Sequence, residues 1–161
     1  MNDEISVRRG TRADADKVAM VLLANYNMHT FAAAKDAYLR ELAQHHRYVV
    51  ATRSGEIVGL CSWFLHGVPH HGLAELDRIA VLEPYRLQGV GRKIFEGVVA
   101  DAQALYEKQG HTLRKLFLLT HDDNAAAGAF YAKMGMKKET VLPSHYYAGR
   151  DEAVFSKFFD A

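Results

Sequence analysis

The sequence predicts an α/β (α+β) fold with one domain over residues 1–161, in which helices cover a mixed sheet. A chain of 161 residues suits one domain with a proper buried core. Its 49% apolar and 24% charged residues are ordinary for a globular protein. Strand-like and helix-like segments follow one another in the order βααβββαβαββ. Strand–helix–strand units joined to hairpins require a mixed sheet.

The first part of the chain is predicted to form a strand and two helices. Residues 5–9 are strand-like, and Thr11 is suited to an N-cap, with Asp14 three places later in the capping-box position. The second helix is predicted over residues 32–44. The side chains expected to face inward from the two helices are Val18, Val21 and Leu22, then Tyr38, Leu39 and Leu42.

A hairpin, a further strand and a long helix follow. Residues 48–52 and 57–64 are strand-like, and Ser54-Gly55 between them is a turn signal. A histidine-containing loop then leads to an apolar strand over residues 73–82. The next helix has a one-sided apolar stripe, typical of core packing, because apolar residues recur every four positions. These residues are Val90, Ile94, Val98 and Ala102.

The last part of the chain predicts a strand, a helix and two more strands. The continuous apolar run within residues 113–120 is typical of a strand buried on both faces. Residues 124–134 are alanine-rich and helical, and Gly135 is a natural helix stop. Residues 136–142 and 152–159 complete the order as strands.

Composition excludes several classes of ligand and location. The net charge is +1 without a long basic run, which argues against nucleic acid as the main ligand. No apolar run approaches the ~20 residues that a membrane span requires, so no membrane association is expected. The acidic start lacks the form of a signal peptide. A single cysteine, Cys61, rules out an internal disulfide and fits the reducing cytoplasm.

Three of the nine histidines, His66, His70 and His71, cluster around Pro69 at a spacing that could hold a metal. No acidic or cysteine partner completes a recognisable ligand set, so a polar loop between strands is the favoured interpretation. The sequence therefore predicts no metal.

The segment from Arg86 to Gly91, Arg-Leu-Gln-Gly-Val-Gly, carries the most information about function. It joins a strand to a long helix, where unpaired N–H groups and the helix dipole favour a phosphate. Its glycines allow close approach of a ligand. A dinucleotide-binding loop is excluded because Ile94 stands where a small residue is needed. A P-loop is excluded because Gly91-Arg92-Lys93 does not supply the Gly-Lys-Ser/Thr ending that it needs.

The remaining pattern, Arg-x-x-Gly-x-Gly, resembles that of the GCN5-related N-acetyltransferases, the GNAT superfamily. The resemblance implies a mostly antiparallel central sheet flanked by helices and a loop that binds the pyrophosphate of acetyl-CoA. It also implies that the backbone of Ile79, Ala80 and Val81 pairs with the pantetheine arm. The loop residues expected to bind the cofactor are Arg86, Leu87, Gln88, Gly89, Val90, Gly91 and Arg92.

A second motif, from Asn124 through Tyr131 to Gly135, resembles the later helix of the family. Asn124 and Tyr131 are seven residues apart and share a helical face. The resemblance implies that Asn124 contacts the cofactor and that Tyr131 donates a proton to the departing thiolate. A phenol with a pKa near ~10 is protonated at neutral pH, as this role requires. The structural alternative is an N-cap asparagine and a buried tyrosine.

Glu75 and Asp77 are the candidates for the general base that removes a proton from the acceptor amine. A glutamate is unusual in an apolar central strand because burying its charge is costly. The position of Glu75, fourteen residues before Gly89, resembles that of the catalytic glutamate in histone-acetylating members. Residues 75 and 77 share one face of a regular strand, but a bulge, which the family usually carries here, would break that parity. The choice, including a water chain, stays open.

The resemblance implies that the acceptor enters between the first two helices and the last hairpin. Candidate contacts are Phe31 on one side and Tyr146 and Tyr147 on the other. The hairpin residues resemble the tail of enzymes that acetylate protein N-terminal amines, although two aromatics supporting a strand are an equal alternative. The resemblance also makes a homodimer possible.

The predicted activity is transfer of an acetyl group from acetyl-CoA to a primary amine, in a small molecule or at a protein N-terminus. The amine is expected to attack directly in a ternary complex. A non-catalytic acyl-CoA-binding sensor is the alternative function, since it would keep the glycine loop without needing Tyr131 or a base.

Overall fold

Seven strands and four α-helices occur within residues 3–159, the part of the chain that the computed structural model describes. Their order, βααβββαβαββ, confirms the predicted one. The strands are β1 (Ser6–Arg9), β2 (Arg47–Arg53), β3 (Glu56–Leu65), β4 (Leu73–Val81), β5 (Lys115–His121), β6 (Lys137–Tyr147) and β7 (Arg150–Phe158). The helices are α1 (Ala15–Asn25), α2 (Phe31–Ala43), α3 (Val90–Lys108) and α4 (Ala125–Lys133).

The strands form a sheet in the order β1-β2-β3-β4-β5-β7-β6. Strands β4 and β5 pair in parallel, with Leu73, Ala74 and Glu75 opposite residues 115–117. The pairs β1–β2, β2–β3, β5–β7 and β6–β7 are antiparallel. This topology confirms the predicted mixed, mostly antiparallel sheet with helices.

Strand β6 is longer than the sequence predicted, because it continues past residue 142 to Tyr147. Pro143 follows the predicted end of the strand, and a proline cannot donate a ladder hydrogen bond. Since β6 is an edge strand, it tolerates that proline. Its pairing with β7 shifts register between Leu142 and Tyr147, and Ser144 in this stretch has φ of 46°. The resulting irregular hairpin carries Tyr146 and Tyr147 near its tip.

Residues 3–64 and 78–101 form the first of two compact units. Apolar side chains from α1, α2, β2 and β3 make its core, in which Val18, Leu22 and Tyr38 are fully buried. The Tyr38 hydroxyl donates to the Thr11 carbonyl oxygen at 2.7 Å. These contacts agree with the inward faces that the sequence predicts for the two helices.

Helix α3 packs tightly on the strands of the first unit because two glycines allow close contact. A Cβ on Gly97 would lie 2.6 Å from Val7 Cγ1 and 3.1 Å from Val49 Cγ1. A Cβ on Gly59 of β3 would lie 2.8 Å from Ile94 Cδ1. The same helix presents Asp101, whose carboxylate accepts hydrogen bonds from side chains of the neighbouring strands. The first turns of α3 are therefore fixed in position.

The predicted capping box of Thr11 and Asp14 is confirmed. It lies at the start of a 3-10 turn over residues 12–14, which precedes α1. The Asp14 carboxylate accepts the Thr11 N–H at 2.8 Å and two hydrogen bonds from Arg8, each of 2.8 Å. The Arg8 guanidinium, followed by the Thr11 N–H, lowers the pKa of Asp14 to about 2. This charged contact ties β1 to the start of α1.

Residues 65–77 and 102–159 form the second compact unit. Strand β5 pairs with β7 along its whole length, from Lys115 opposite Phe158 to His121 opposite Glu152. Leu116 and Leu118 share one face of β5 and are buried, whereas Phe117 and Leu119 on the other face are half-buried. The strand is thus less fully covered on its second face than the continuous apolar run predicted. Because the chain divides into two units, the expected single domain over residues 1–161 stays a prediction. Among the described residues, we find no helix with the length and apolar character that crossing a membrane requires.

Candidate active site

The glycine loop lies between the end of β4 and the start of α3, as predicted. Gly89 has φ of +79°, and a Cβ built on it would meet nothing within 4 Å. Gly89 directly precedes α3, and its carbonyl oxygen accepts the Lys93 N–H at 3.1 Å. The preceding N–H groups of the first helical turn have no acceptor within α3. The loop therefore presents backbone donors beside open space.

Two side chains of the loop fold back on the protein. The Arg86 guanidinium donates to the Val81 carbonyl oxygen at 2.9 Å and to Asn25 Oδ1 at 2.8 Å. The Gln88 amide donates to the Pro84 carbonyl oxygen at 2.8 Å. Leu87 is fully exposed, with φ of +61°. Arg86 and Gln88 thus shape the loop from within, whereas its outer surface consists of backbone, Leu87 and the exposed Arg92 that follows.

The strand end that precedes the loop is fixed by hydrogen bonds to its backbone. The Tyr26 hydroxyl donates to the Ile79 carbonyl oxygen at 3.0 Å. The Leu82 N–H donates to the Val58 carbonyl oxygen at 2.9 Å. Ala80 is buried, whereas Ile79 and Val81 are half-buried. The expected pairing of residues 79–81 with a pantetheine arm stays a prediction.

Asn124 and Tyr131 occupy the two ends of helix α4. Asn124 Oδ1 accepts the Ala127 N–H at 3.1 Å, so this side chain is the N-cap that the structural alternative described. Tyr131 is 6% exposed, and its ring lies 5.8 Å from the ring of Phe155 between centroids. The expected cofactor contact of Asn124 and the proton donation by Tyr131 stay predictions.

Glu75 and Asp77 lie on one face of β4, because the buried positions alternate with them at residues 74 and 76. The Glu75 side chain is 17% exposed, and its Oε2 lies 3.1 Å from Nδ1 of His66. Asp77 is exposed. The two carboxylates therefore differ in surroundings although they share a face.

The tip of the β6–β7 hairpin presents two tyrosines, of which Tyr146 lies within electrostatic range of these carboxylates. Tyr146 and Tyr147 are 59% and 63% exposed. Partial burial raises the pKa of Tyr146, and the negative charges of Glu75, Glu152 and Asp77 raise it further. This part of the chain thus joins one predicted acceptor contact, Tyr146, to both predicted base candidates.

Phe31, the other predicted acceptor contact, is the first residue of α2 and is 38% exposed. The preceding Thr30 caps the helix, because its Oγ1 accepts the Ala33 N–H at 3.0 Å. Phe31 belongs to the first unit and Tyr146 to the second. The acceptor role of each therefore stays a separate prediction.

The sequence did not indicate a third carboxylate, Glu152 of β7. Its side chain is 2% exposed and pairs with the imidazole of His121, with 2.5 Å between Oε1 and Nδ1. The two residues are 31 positions apart and meet because they are opposite each other in the β5–β7 ladder. The feature of the sequence that could have indicated this pair is His121, an unusual residue at the end of the apolar strand β5.

The histidines of the β3–β4 loop form local contacts. The His70 and His71 rings lie 4.6 Å apart, and Nδ1 of His71 accepts the Val68 N–H at 3.4 Å. His66 contacts Glu75, as described above. Among the described residues, we find no group of three metal-ligating side chains that could hold an ion.

Comparison with known proteins identifies the family. Residues 17–136 match the Acetyltransferase (GNAT) family. The chain is 27% identical to an N-alpha-acetyltransferase of Sulfolobus acidocaldarius. The alignment is 161 positions long and covers 91% of this chain and 88% of that protein. It is 29% identical to an aminoalkylphosphonate N-acetyltransferase of Salmonella typhimurium over 136 residues, covering 82% and 84% of the two chains.

A solved structure from Desulfovibrio desulfuricans, described as an acetyltransferase of the GNAT family, superposes with a TM-score of 0.79. The identity is 25%, and the match covers 96% of this chain and 99% of that one. The chain therefore belongs to the GNAT family, and it is an acyltransferase of the N-acetyltransferase type. Both sequence-based predictions are confirmed.

Proposed function

We propose that this protein transfers the acetyl group of acetyl-CoA to a primary amine. The observation that carries this proposal is the glycine loop, in which Gly89 adopts a left-handed conformation beside open space at the start of α3. A helix of 19 residues has the backbone donors and dipole that favour a pyrophosphate. The residues present thus fit the cofactor that the family generally uses.

The cofactor-binding residues divide into three groups by the part of the molecule that each would hold. The backbone from Leu87 to Gly91 would bind the pyrophosphate, with Arg92 as a nearby positive charge. The backbone of residues 79–81 would bind the pantetheine arm as an added strand. Asn124 would contact the cofactor through the part of its side chain and backbone that capping leaves available. When bound, acetyl-CoA supplies the activated acetyl group.

Tyr131 would act as the general acid toward the departing sulfur. Its side chain is largely buried, and a phenol keeps its proton at neutral pH in ordinary surroundings. The amine must lose a proton before it attacks, because an alkylammonium is not a nucleophile. The carboxylates of Glu75 and Asp77 would attract this cation toward Tyr146, and each is a base candidate from the sequence.

The acceptor that the hairpin favours is a protein or peptide N-terminal amine. Tyr146 and Tyr147 offer two exposed aromatic surfaces for a peptide, and the nearby carboxylates suit a cationic terminus. The name of the Sulfolobus acidocaldarius relative, N-alpha-acetyltransferase, supports this class. An aminoalkylphosphonate is the second candidate, because the Salmonella typhimurium relative bears that name.

The proposal is tested by measuring release of free thiol from acetyl-CoA in the presence of a panel of amines. The panel contains peptides with free and with blocked N-termini, an aminoalkylphosphonate and a simple alkylamine. We expect turnover with the free peptides and none with the blocked ones. Tight binding of acetyl-CoA without turnover on any amine would instead favour a non-catalytic acyl-CoA sensor.

A further inference from the structure

The end of strand β5 carries an imidazole to which the proposed function gives no role. His121 and Glu152 are opposite each other in the β5–β7 ladder, with 2.5 Å between Nδ1 and Oε1. The Glu152 side chain is 2% exposed, whereas that of His121 is 32% exposed. A buried carboxylate therefore holds an imidazole that still reaches solvent.

This arrangement defines which ring nitrogen is available for chemistry. An ionised carboxylate can only accept hydrogen bonds, so the nitrogen beside Glu152 carries the proton. In the neutral ring, Nε2 then has a free lone pair. An imidazole oriented by a carboxylate is a common arrangement for a general base, because the pairing fixes the ring and stabilises its protonated form.

The surroundings of His121 are those of the predicted acceptor site. The Tyr147 ring lies 6.3 Å from the imidazole between centroids. Glu152 also acts on Tyr146, together with Glu75 and Asp77, as the raised pKa of that tyrosine indicates. Glu152 is thus the carboxylate that connects the imidazole to the hairpin tyrosines.

Three aspartates near this pair in the sequence have other partners. Asp122, the next residue, accepts a hydrogen bond from Lys138 Nζ at 2.6 Å. Asp123 lies 3.6 Å from the Arg150 guanidinium. Asp151 accepts the Ser144 N–H at 2.9 Å within the hairpin. Because these aspartates have other partners, the carboxylate that pairs with His121 is that of Glu152 on the facing strand.

We propose that His121 is the base that accepts a proton from the acceptor amine, and that Glu152 is the residue that positions it. The inference rests on the proposed acetyl transfer and specifies how the amine becomes nucleophilic. The ammonium group gives one proton to Nε2 of His121, and the nitrogen then forms a bond to the acetyl carbon. The carbon–sulfur bond breaks with its electron pair on sulfur. The second proton, which the nitrogen loses as the amide forms, reaches the sulfur through the Tyr131 hydroxyl.

A second imidazole–carboxylate pair, His66 with Glu75, is the rival. Its imidazole is 49% exposed, and its carboxylate is 17% exposed, so it is less buried than the Glu152 pair. The more buried carboxylate of Glu152 fixes its imidazole more firmly, and the Tyr147 ring lies beside that imidazole. The geometry therefore favours His121 over His66. A carboxylate in ordinary surroundings binds a proton near about pH 4, which is low for a base that works near neutrality, so Glu75 and Asp77 are left to attract the cationic amine.

The kinetic test compares His121→Gln with His66→Gln and with His111→Gln, a control histidine in the loop after α3. The turnover number is measured against pH, with saturating acetyl-CoA and a peptide that has a free N-terminus. We expect His121→Gln to lose at least about 100-fold in turnover and to lose the rise in rate between pH 5 and 8. Both other variants should keep that rise. If His121→Gln keeps it, or if His66→Gln loses it, the proposal is wrong.

Glu152→Gln tests the positioning role with a change that preserves side-chain volume. We expect the turnover number to fall while the KM for the peptide and the Kd for acetyl-CoA stay within about twofold. The variant that combines Glu152→Gln with His121→Gln should be no slower than His121→Gln alone, because residues that act as a unit are not additive. Additive losses would contradict the assignment.

An NMR measurement tests the same pair without any substrate. Long-range nitrogen–proton spectra of the histidine rings at pH 8 report which nitrogen carries the proton. We expect His121 to be protonated at Nδ1, and this preference to weaken in Glu152→Gln, because an amide can donate to Nδ1 as well as accept from it. Protonation at Nε2 would overturn the proposal whatever the enzyme acetylates. Failure of every amine in the panel, by contrast, would contradict the proposed function and leave this spectrum interpretable.

Discussion

The proposed catalytic role of Tyr131 depends on its hydroxyl group, whereas a role in packing would need only its ring. We expect Tyr131→Phe to lower the turnover number by about 100-fold or more, because the departing thiolate loses its proton donor. The Kd for acetyl-CoA should stay within about twofold. Steady-state kinetics and calorimetry measure the two quantities separately.

Tyr106→Phe is the matched control, since it removes another buried tyrosine hydroxyl from the same unit. That hydroxyl donates to the Leu73 carbonyl oxygen at 2.6 Å, and burial raises the pKa of Tyr106 to about 12. We expect this variant to lose about 1 kcal/mol of unfolding free energy and to keep its turnover. Equal turnover of Tyr131→Phe and the wild type would remove the acid role.

Asp14 makes a contribution to the free energy of unfolding that depends on pH. Its pKa is lowered from 3.8 to about 2, chiefly by the hydrogen bonds from Arg8. A lowered folded-state pKa contributes stability that is complete above the unfolded-state pKa and is lost as pH falls through the folded-state one. We expect Asp14→Asn to lose at most about 2 kcal/mol near pH 7, and the deficit to shrink between about pH 4 and 2.

Urea unfolding of both proteins across that pH range measures this deficit. Asp36→Asn is the control, because the Asp36 side chain is 71% exposed in its pair with Arg40. An exposed pair of this kind contributes little. A deficit for Asp14→Asn that stays constant down to pH 2 would show that charge is not its cause.

At the scale of elements, the position of α3 depends on the missing side chain at residue 97. Gly97→Ala places a Cβ 2.6 Å from Val7 Cγ1, so the helix or the strand must shift. On α4, Gly128→Ala meets only Phe155 at 3.5 Å, an ordinary contact. Both changes gain the same helix propensity. We expect the unfolding free energy of Gly97→Ala to be about 1–3 kcal/mol lower than that of Gly128→Ala, as measured by urea unfolding. Equal unfolding free energies of the two variants would contradict the tight packing.

The elements themselves were predictable from periodicity, because each buries an apolar face with the spacing of a helix or a strand. The extension of β6 past Pro143 was not, since it depends on the strand being at a sheet edge. The pairing of His121 with Glu152 was not predictable either. It requires the register of two strands, and one residue of slip would place the side chains on opposite faces.

At the scale of the whole molecule, acetyl-CoA should stabilise the native state by mass action. A ligand at 100 times its Kd contributes about 2.7 kcal/mol, which raises the Tm of a protein of this size by about 5–10 °C. We expect Gly89→Asp to lose most of this ligand-induced shift, because it adds a negative charge and a side chain beside the pyrophosphate. Differential scanning fluorimetry measures both proteins with and without acetyl-CoA.

Gly110→Asp separates backbone strain from lost binding. Gly110 has φ of +77° and open space around a built Cβ, as Gly89 does, but it lies beyond the other end of α3. Both variants should therefore melt lower without ligand, while Gly110→Asp keeps the full shift with it. A full shift in Gly89→Asp would count against the loop assignment.

The contacts of Arg86 mean that the glycine loop is preorganised. A guanidinium anchored on the Val81 carbonyl and Asn25 fixes the curve of the main chain before any anion arrives, so association needs little rearrangement there. We therefore expect Arg86 to shape the loop, although its contact with the cofactor stays a prediction, and changes meant to alter selectivity for phosphate charge should begin at the exposed Arg92.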